Sequence, residues 1–200
     1  MAHSPRTLVD RQNYVQGQLI DSAETKKKIA EACTPSILKA ADVMINAFQN
    51  KKKVLLCGNG GSAADSQHIA TELVVRLNQK ERPALPAIAL TTDTSNLTAG
   101  ANDLGFDRVF ARSVEALGEE GDVLIALSTS GNSQNVNNAI RKAKEKGMQV
   151  IGLLGKGGGR SKELGDIAII VTSEDTQRIQ EGHITIGHIL CGLIEQELFG

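Results

Sequence analysis

His68 and Glu72 stand four residues apart, so on a helix they share one face. Far downstream, Gln180 and His188 are about two turns apart and on one side of a final helical stretch. That stretch also carries Glu181 and His183 and is otherwise apolar through Ile184, Ile186, Ile189, Leu190, Leu193 and Ile194. A His/Glu pair with a distant His can do two kinds of chemistry. Glu as base and His as acid can move a proton between neighbouring carbons. Alternatively His68, Glu72, Gln180 and His188 can hold a divalent metal through nitrogen and oxygen donors, with glutamine an uncommon ligand. Locally, the same residues are equally those of a surface His–Glu pair and a hydrogen-bonded core histidine.

Two loops supply a second kind of chemistry. Cys57-Gly58-Asn59-Gly60-Gly61-Ser62 and Ser128-Thr129-Ser130-Gly131-Asn132-Ser133 each join a short apolar run to a helical stretch. Glycine lets the backbone approach an anion and turn its N–H groups inward. The start of the next helix adds unpaired N–H groups and a partial positive charge. Four hydroxyls in the second loop, from Ser128, Thr129, Ser130 and Ser133, can ring a phosphomonoester without a fixed cation. Taken singly, either loop reads as a tight turn with an N-capping serine; two at equivalent junctions point to a phosphate.

Other phosphate motifs fit less well. Gly58, Gly60 and Ala63 match a relaxed dinucleotide fingerprint, but no acidic residue closes the second strand at the required spacing, the nearest being Asp93. Gly155-Lys156-Gly157-Gly158-Gly159-Arg160 lacks the Walker order and reads as a flexible loop.

These residues need elements to position them. Val54–Cys57, Ala87–Leu90, Val123–Leu127, Val150–Leu154 and Ile167–Val171 are five short, continuously apolar runs. Helical segments separate most of them, at about 62–77, 94–101, 107–117 and 133–146, with a last one at about 175–199. This pattern predicts an α/β fold: a doubly wound, flavodoxin-like parallel sheet of five strands flanked by helices. Ligands then bind beyond the carboxyl ends of the strands, where both loops lie. Residues 1–50 predict two helices, the second opening near Pro35 and carrying the stripe Ile37, Leu38, Ala41, Met44, Ile45 and Phe48. The basic run Lys51–Lys53 reads as a solvated helix end. The chain thus divides into an N-terminal helical part, 1–50, suited to oligomerisation, and an α/β core, 51–200, within one domain of 200 residues.

Composition excludes several functions. A net charge of −1 provides no field toward nucleic acid or an anionic membrane, and 2% aromatics leave almost nothing to stack bases on. No apolar run approaches a membrane span, and the N-terminus has no signal core. Cys33, Cys57 and Cys191 have neither metal spacing nor even number, and read as reduced thiols of a cytoplasmic protein.

Together, Cys57–Ser62, His68, Glu72, Asn102-Asp103, Ser128–Ser133, Arg178-Ile179-Gln180-Glu181 and His188 resemble the sedoheptulose 7-phosphate isomerases of the sugar isomerase (SIS) domain family. The resemblance runs in order from about residue 8 to the C-terminus. It implies conversion of sedoheptulose 7-phosphate to glycero-manno-heptose 7-phosphate through an enediol, the first step toward the ADP-heptose of lipopolysaccharide or surface glycans. It implies Glu72 as base and His188 as acid, and sugar binding by Gln180, Asn102 and Asp103. Asn59, Gly60, Gly61, Ser62, Ser128, Thr129, Ser130 and Ser133 would hold the substrate and its phosphate. It implies one zinc on His68, Glu72, Gln180 and His188, and a homotetramer with active sites between subunits. Some members carry an aspartate where Gln177 stands, so no acid–base role is carried over to that position.

The same family contains non-enzymatic relatives, among them adaptors that bind the bacterial replication initiator, and phosphosugar sensors. The Glu81-Arg82-Pro83 connection and the Leu198-Phe199 ending resemble the adaptors. Glu72 and His188, which a binding-only protein does not need, favour the enzyme.

Overall fold

The computed structural model describes residues 7–200. Five parallel strands form one sheet: β1 (Val54–Cys57), β2 (Ala87–Ala89), β3 (Val123–Ser128), β4 (Gln149–Leu154) and β5 (Ile167–Ile170). Their spatial order is β2-β1-β3-β4-β5, a flavodoxin-like order of the doubly wound sheet expected from the alternating pattern. β1, β3 and β4 are apolar except at Ser128 and Gln149 because both their faces are covered, whereas the edge strand β2 leaves Ile88 exposed. Within a strand, neighbouring residues enter opposite layers: Leu56, Ile125 and Ile151 face one side, and Leu55, Leu124 and Val150 the other.

On the first side pack α1 (Leu8–Gln49), α2 (Gly61–Val74) and α7 (Thr176–Phe199), through Ile29, Met44, Ile69, Ile186 and Leu190. On the second lie α3 (Thr94–Leu104), α4 (Val109–Leu117) and α5 (Gln134–Glu145), through Leu97, Phe110, Val114, Val136 and Ile140. A four-residue helix, α6 (Ser161–Leu164), precedes β5. No helix of the described residues is long and apolar enough to cross a membrane.

Three expectations change. The two N-terminal helices are one: α1 runs unbroken for 42 residues with Pro35 inside it. Pro35 lies on the solvent face, so the Glu31 carbonyl it leaves without a donor remains open to water. Lys53 is no solvated helix end, since its ammonium pairs with the buried Asp122 carboxylate at 2.7 Å. The Gly155–Arg160 segment is not a flexible loop either. Gly157, Gly158 and Gly159 take positive φ in a tight turn that packs on the Ser128–Ser133 loop. Ser161 N–H and Oγ donate to the Gly131 carbonyl at 2.9 Å each, and Arg160 N–H donates to Asn132 Oδ1 at 3.1 Å.

Candidate active site

β1 and β3 are neighbours at the point where strand order reverses, with Cys57 opposite Ala126. The two glycine- and hydroxyl-rich loops leave these strands side by side, in the crevice such sheets open for ligands. The first turns into α2 at Gly60, whose φ of +56° suits a residue without Cβ. The N–H groups of Asn59, Gly60 and Gly61 donate to nothing among the described residues. In the second loop the N–H groups of Thr129, Ser130 and Ser133 are equally free, as is the Thr129 hydroxyl. The remaining hydroxyls shape the loop. Ser128 Oγ accepts from Gly131 N–H at 3.1 Å and lies 3.2 Å from Ser133 Oγ, while Ser130 Oγ accepts from Asn132 N–H at 3.1 Å. Gly131 has φ +63°, and a Cβ there would overlap the Gly158 carbonyl.

A residue outside the sequence reading joins the loops. Asn135, buried near the start of α5, exchanges two amide hydrogen bonds of 2.9 Å with Asn59. The Asn59 carboxamide is therefore committed to this pair, and what it offers a ligand is its backbone N–H. Ser62 is buried against Gly58, beneath the loop.

α2 and α7 run alongside from the same end of the sheet. The Gln180 carboxamide lies where a Cβ on Gly61 would stand. One rung further, His68 Nε2 is 2.8 Å from His188 Nε2 and 3.3 Å from Glu72 Oε1. The rings meet edge to face, with centroids 4.9 Å apart. Gly187 makes this approach close, as a Cβ there would overlap Ile69 of α2. Two imidazole nitrogens and a carboxylate oxygen lie within 4.8 Å of one another. Two Nε2 atoms at 2.8 Å need a shared proton or a shared cation between their lone pairs. These two imidazole nitrogens and one carboxylate oxygen fit zinc, while the contact found for the Gln180 carboxamide is with Gly61.

A further carboxylate that the sequence reading passed over stands one turn before His68. Burial pushes Asp65 up to about 6, partly offset by His68, and its Oδ2 is buried without a hydrogen-bond partner. The i, i+3 and i, i+7 spacing of Asp65 to His68 and Glu72 was the signal for it. His183 faces the core instead. Burial pulls its imidazole down to about 4, and the Leu154 carbonyl offsets part of this without a hydrogen bond of good geometry. Asn102 and Asp103 are not brought to this cluster by any recorded contact. They lie exposed on α3, bonded to each other at 2.7 Å, with Asp103 lining a surface cavity of about 610 Å³ between α3 and α4. Asp93, the distant acid of the dinucleotide fingerprint, caps α3.

The SIS domain profile matches residues 19–155 of this chain. The chain is 56% identical over 183 residues to a phosphoheptose isomerase of a Nitratiruptor species, covering 92% of this chain and 97% of that protein. The chain belongs to the SIS domain family, among its phosphoheptose isomerases. Another phosphoheptose isomerase, from Clostridium acetobutylicum, is 53% identical, with 94% of this chain and 96% of that one covered. Among solved structures, the phosphoheptose isomerase GmhA from Neisseria gonorrhoeae superposes with a TM-score of 0.88 at 42% identity, covering 92% and 98% of the two chains. A phosphoheptose isomerase from Francisella tularensis gives 0.90 at 39% identity, covering 96% and 100%. The features resembling the adaptor branch of the SIS family prove to be one packing unit, with the Arg82 guanidinium 5.8 Å above the Phe199 ring.

Proposed function

We propose that this phosphoheptose isomerase interconverts sedoheptulose 7-phosphate and D-glycero-D-manno-heptose 7-phosphate. The observation that carries this reading is the convergence of His68, Glu72 and His188 on the helix that starts at a loop of free amides. The six free N–H groups and the Thr129 hydroxyl bind the 7-phosphate. Gln180, Asn102 and Asp103 hold sugar hydroxyls, the last two by way of the substrate or a neighbouring subunit, since they stand apart from the cluster in one chain. Glu72 removes a proton from C1 of the ketose while His188 gives one to O2, which leaves the enediol. Glu72 then returns its proton to C2, and the O1 hydroxyl gives its proton back to His188. Each proton taken is returned, so the isomerisation balances.

Zinc, held by His68, Glu72, Gln180 and His188, would supply Lewis acidity toward the sugar oxygens in place of the proton that His188 carries when its Nε2 is free of metal. Glu72 has two oxygens and can hold a cation with one while the other faces the substrate. A homotetramer with active sites between subunits is supported by the N-terminal half of α1, where Leu8, Tyr14, Val15, Leu19 and Ile20 are exposed. Three buried free thiols suit a reducing cytoplasm, and entry into ADP-heptose synthesis follows from the product.

The test is incubation of the metal-replete protein with sedoheptulose 7-phosphate, following aldoheptose phosphate by NMR. Turnover that disappears in Glu72→Gln supports the reading; saturable sugar-phosphate binding without turnover transfers it to the sensor or adaptor class.

A further inference from the structure

Beyond the site, the most fully bonded buried charges among the described residues are Arg82 and Glu195. Arg82 lies in the connection between α2 and β2, and Glu195 on the last turns of α7. Their side chains are 1% and 3% exposed, and Arg82 Nε donates to Glu195 Oε1 at 2.6 Å. The same carboxylate accepts from the N–H groups of Leu77, Asn78 and Gln79 at 2.8, 2.8 and 3.2 Å. Burial alone would raise the Glu195 carboxyl, but Arg82 and these amides outweigh it and hold it at about 2. Arg82 has a third attachment: its Nη2 donates to the main-chain carbonyl of Glu72 at 2.6 Å.

That carbonyl belongs to the final turn of α2, where the helix supplies no N–H of its own. Glu195 is seven residues beyond His188, on the same face of α7. The chain of contacts therefore runs from the helix of His188, through two buried charges, to the backbone of Glu72. A 2.6 Å bond at the residue's own carbonyl fixes the backbone from which its carboxylate extends.

We propose that Arg82 and Glu195 are positioning residues that set the placement of Glu72 against His188. This rests on Glu72 being the base. The loop cradle is built elsewhere, from residues 57–62 and 128–133, and neither Arg82 nor Glu195 bonds to it.

The test compares Glu195→Gln, Arg82→Met and the double variant Arg82→Met/Glu195→Gln, with Glu72→Gln alongside. In Glu195→Gln the single amide oxygen can accept either from Asn78 and Gln79 or from Leu77 and Arg82, and Arg82 keeps the Glu72 carbonyl. The double variant relieves the uncompensated carboxylate that Arg82→Met alone would bury, but leaves the carbonyl without its donor. At matched thermal midpoints, the double variant should fall about 10- to 100-fold in kcat below Glu195→Gln, with KM unchanged. Equal kcat in the two would overturn the proposal, because a purely structural pair would track the midpoint alone. If the double variant does not fold, Arg82→Lys reads the same property. It keeps a charge beside Glu195 but cannot also span to the carbonyl, so lower kcat at unchanged KM supports the proposal and wild-type kcat overturns it. Activity remaining in Glu72→Gln would instead remove the assignment of the base, whatever the Arg82 variants do.

Discussion

In the loop cradle, the groups aimed at a ligand are backbone amides and hydroxyls of nearly consecutive residues. In the seam between α2 and α7 they are side chains, and the central contact joins residues 120 apart in sequence. The cradle is buttressed from beneath by the turn at Gly157–Gly159 and tied across by Asn59 and Asn135. The seam is pressed together by Gly187 on Ile69 and closed at its far end by Arg82 and Glu195. Consecutive amides at a fixed turn suit a ligand group of fixed shape, such as a phosphate. Two helices whose spacing a single Cβ can change suit groups that must exchange protons over short distances. Under the proposed function, affinity belongs to the cradle and turnover to the seam.

Removing a proton carrier breaks the seam most. His188→Gln should lower kcat by about 10²- to 10⁴-fold, the usual contribution of a general acid or base, with KM little changed. Steady-state kinetics on the heptose phosphate would show this, and a rise confined to KM would move His188 out of the proton path. Gly187→Ala attacks the same contact by geometry. Its Cβ would overlap Ile69, so the helices must part; an expected loss of about 10²-fold in kcat, from a displacement of about 1 Å, is measured in the same assay.

Gly131→Ala should break the cradle instead. A Cβ at φ +63° costs about 1–3 kcal/mol in backbone strain before its overlap with Gly158 is relieved. Urea unfolding should report at least that loss, and inorganic phosphate should bind more weakly by titration calorimetry. Ser130→Ala removes only the hydroxyl that holds Asn132 N–H, a bond worth about 1 kcal/mol. KM should rise about fivefold, with kcat retained. If Ser130→Ala lowered kcat and spared KM, the division of labour between the two regions would be wrong.

Acid provides the mildest probe. The folded state holds the buried His183 imidazole below its ordinary 6.5, at about 4, because burial favours the neutral form. Its contribution to stability is complete above about pH 6.5 and fades as pH falls toward 4. Glu195, held at about 2, adds a second loss below about pH 4.5. Asp65 has the opposite sign: with its carboxyl raised to about 6, the fold favours the protonated form, and stability declines as pH rises from about 4 to 6. Urea midpoints between about pH 7 and 4 should therefore fall less steeply in His183→Leu than in the wild type. An unchanged slope would mean that His183 is not the group responsible.

The sheet and both loops were legible because each is written in consecutive residues. Val54–Cys57 is four buried apolar residues and a strand of the same bounds, and Ser128–Ser133 carries its hydroxyls in one loop. His68 and Glu72 were legible by helical spacing, and Gln180 and His188 by their place in an apolar helix. Two N-terminal helices were inferred from Pro35 because its local rule is strong; the long helix persists because that residue faces water. The Gly155–Arg160 turn was misread because glycine permits both flexibility and tight packing, and only the facing Gly131 selects between them. Asp65 was legible by the same helical spacing but passed over, whereas Asn135 and the Arg82–Glu195 pair were illegible as site components. Their meaning lies in a partner on another element, and no period in the chain encodes that distance.

Local chemistry determined by sequence alone thus extends to the five strands, the α2 and α7 stripes, the glycine- and hydroxyl-rich loops and the titratable residue types of the seam. Tertiary structure decided that His68 and His188 touch, that the Asn59 side chain is occupied by Asn135, and that the backbone of Glu72 is held by a buried guanidinium. Hydrogen bonds and close packing act over about 3–4 Å, and only the packing of the sheet brings residues more than 70 apart within that range.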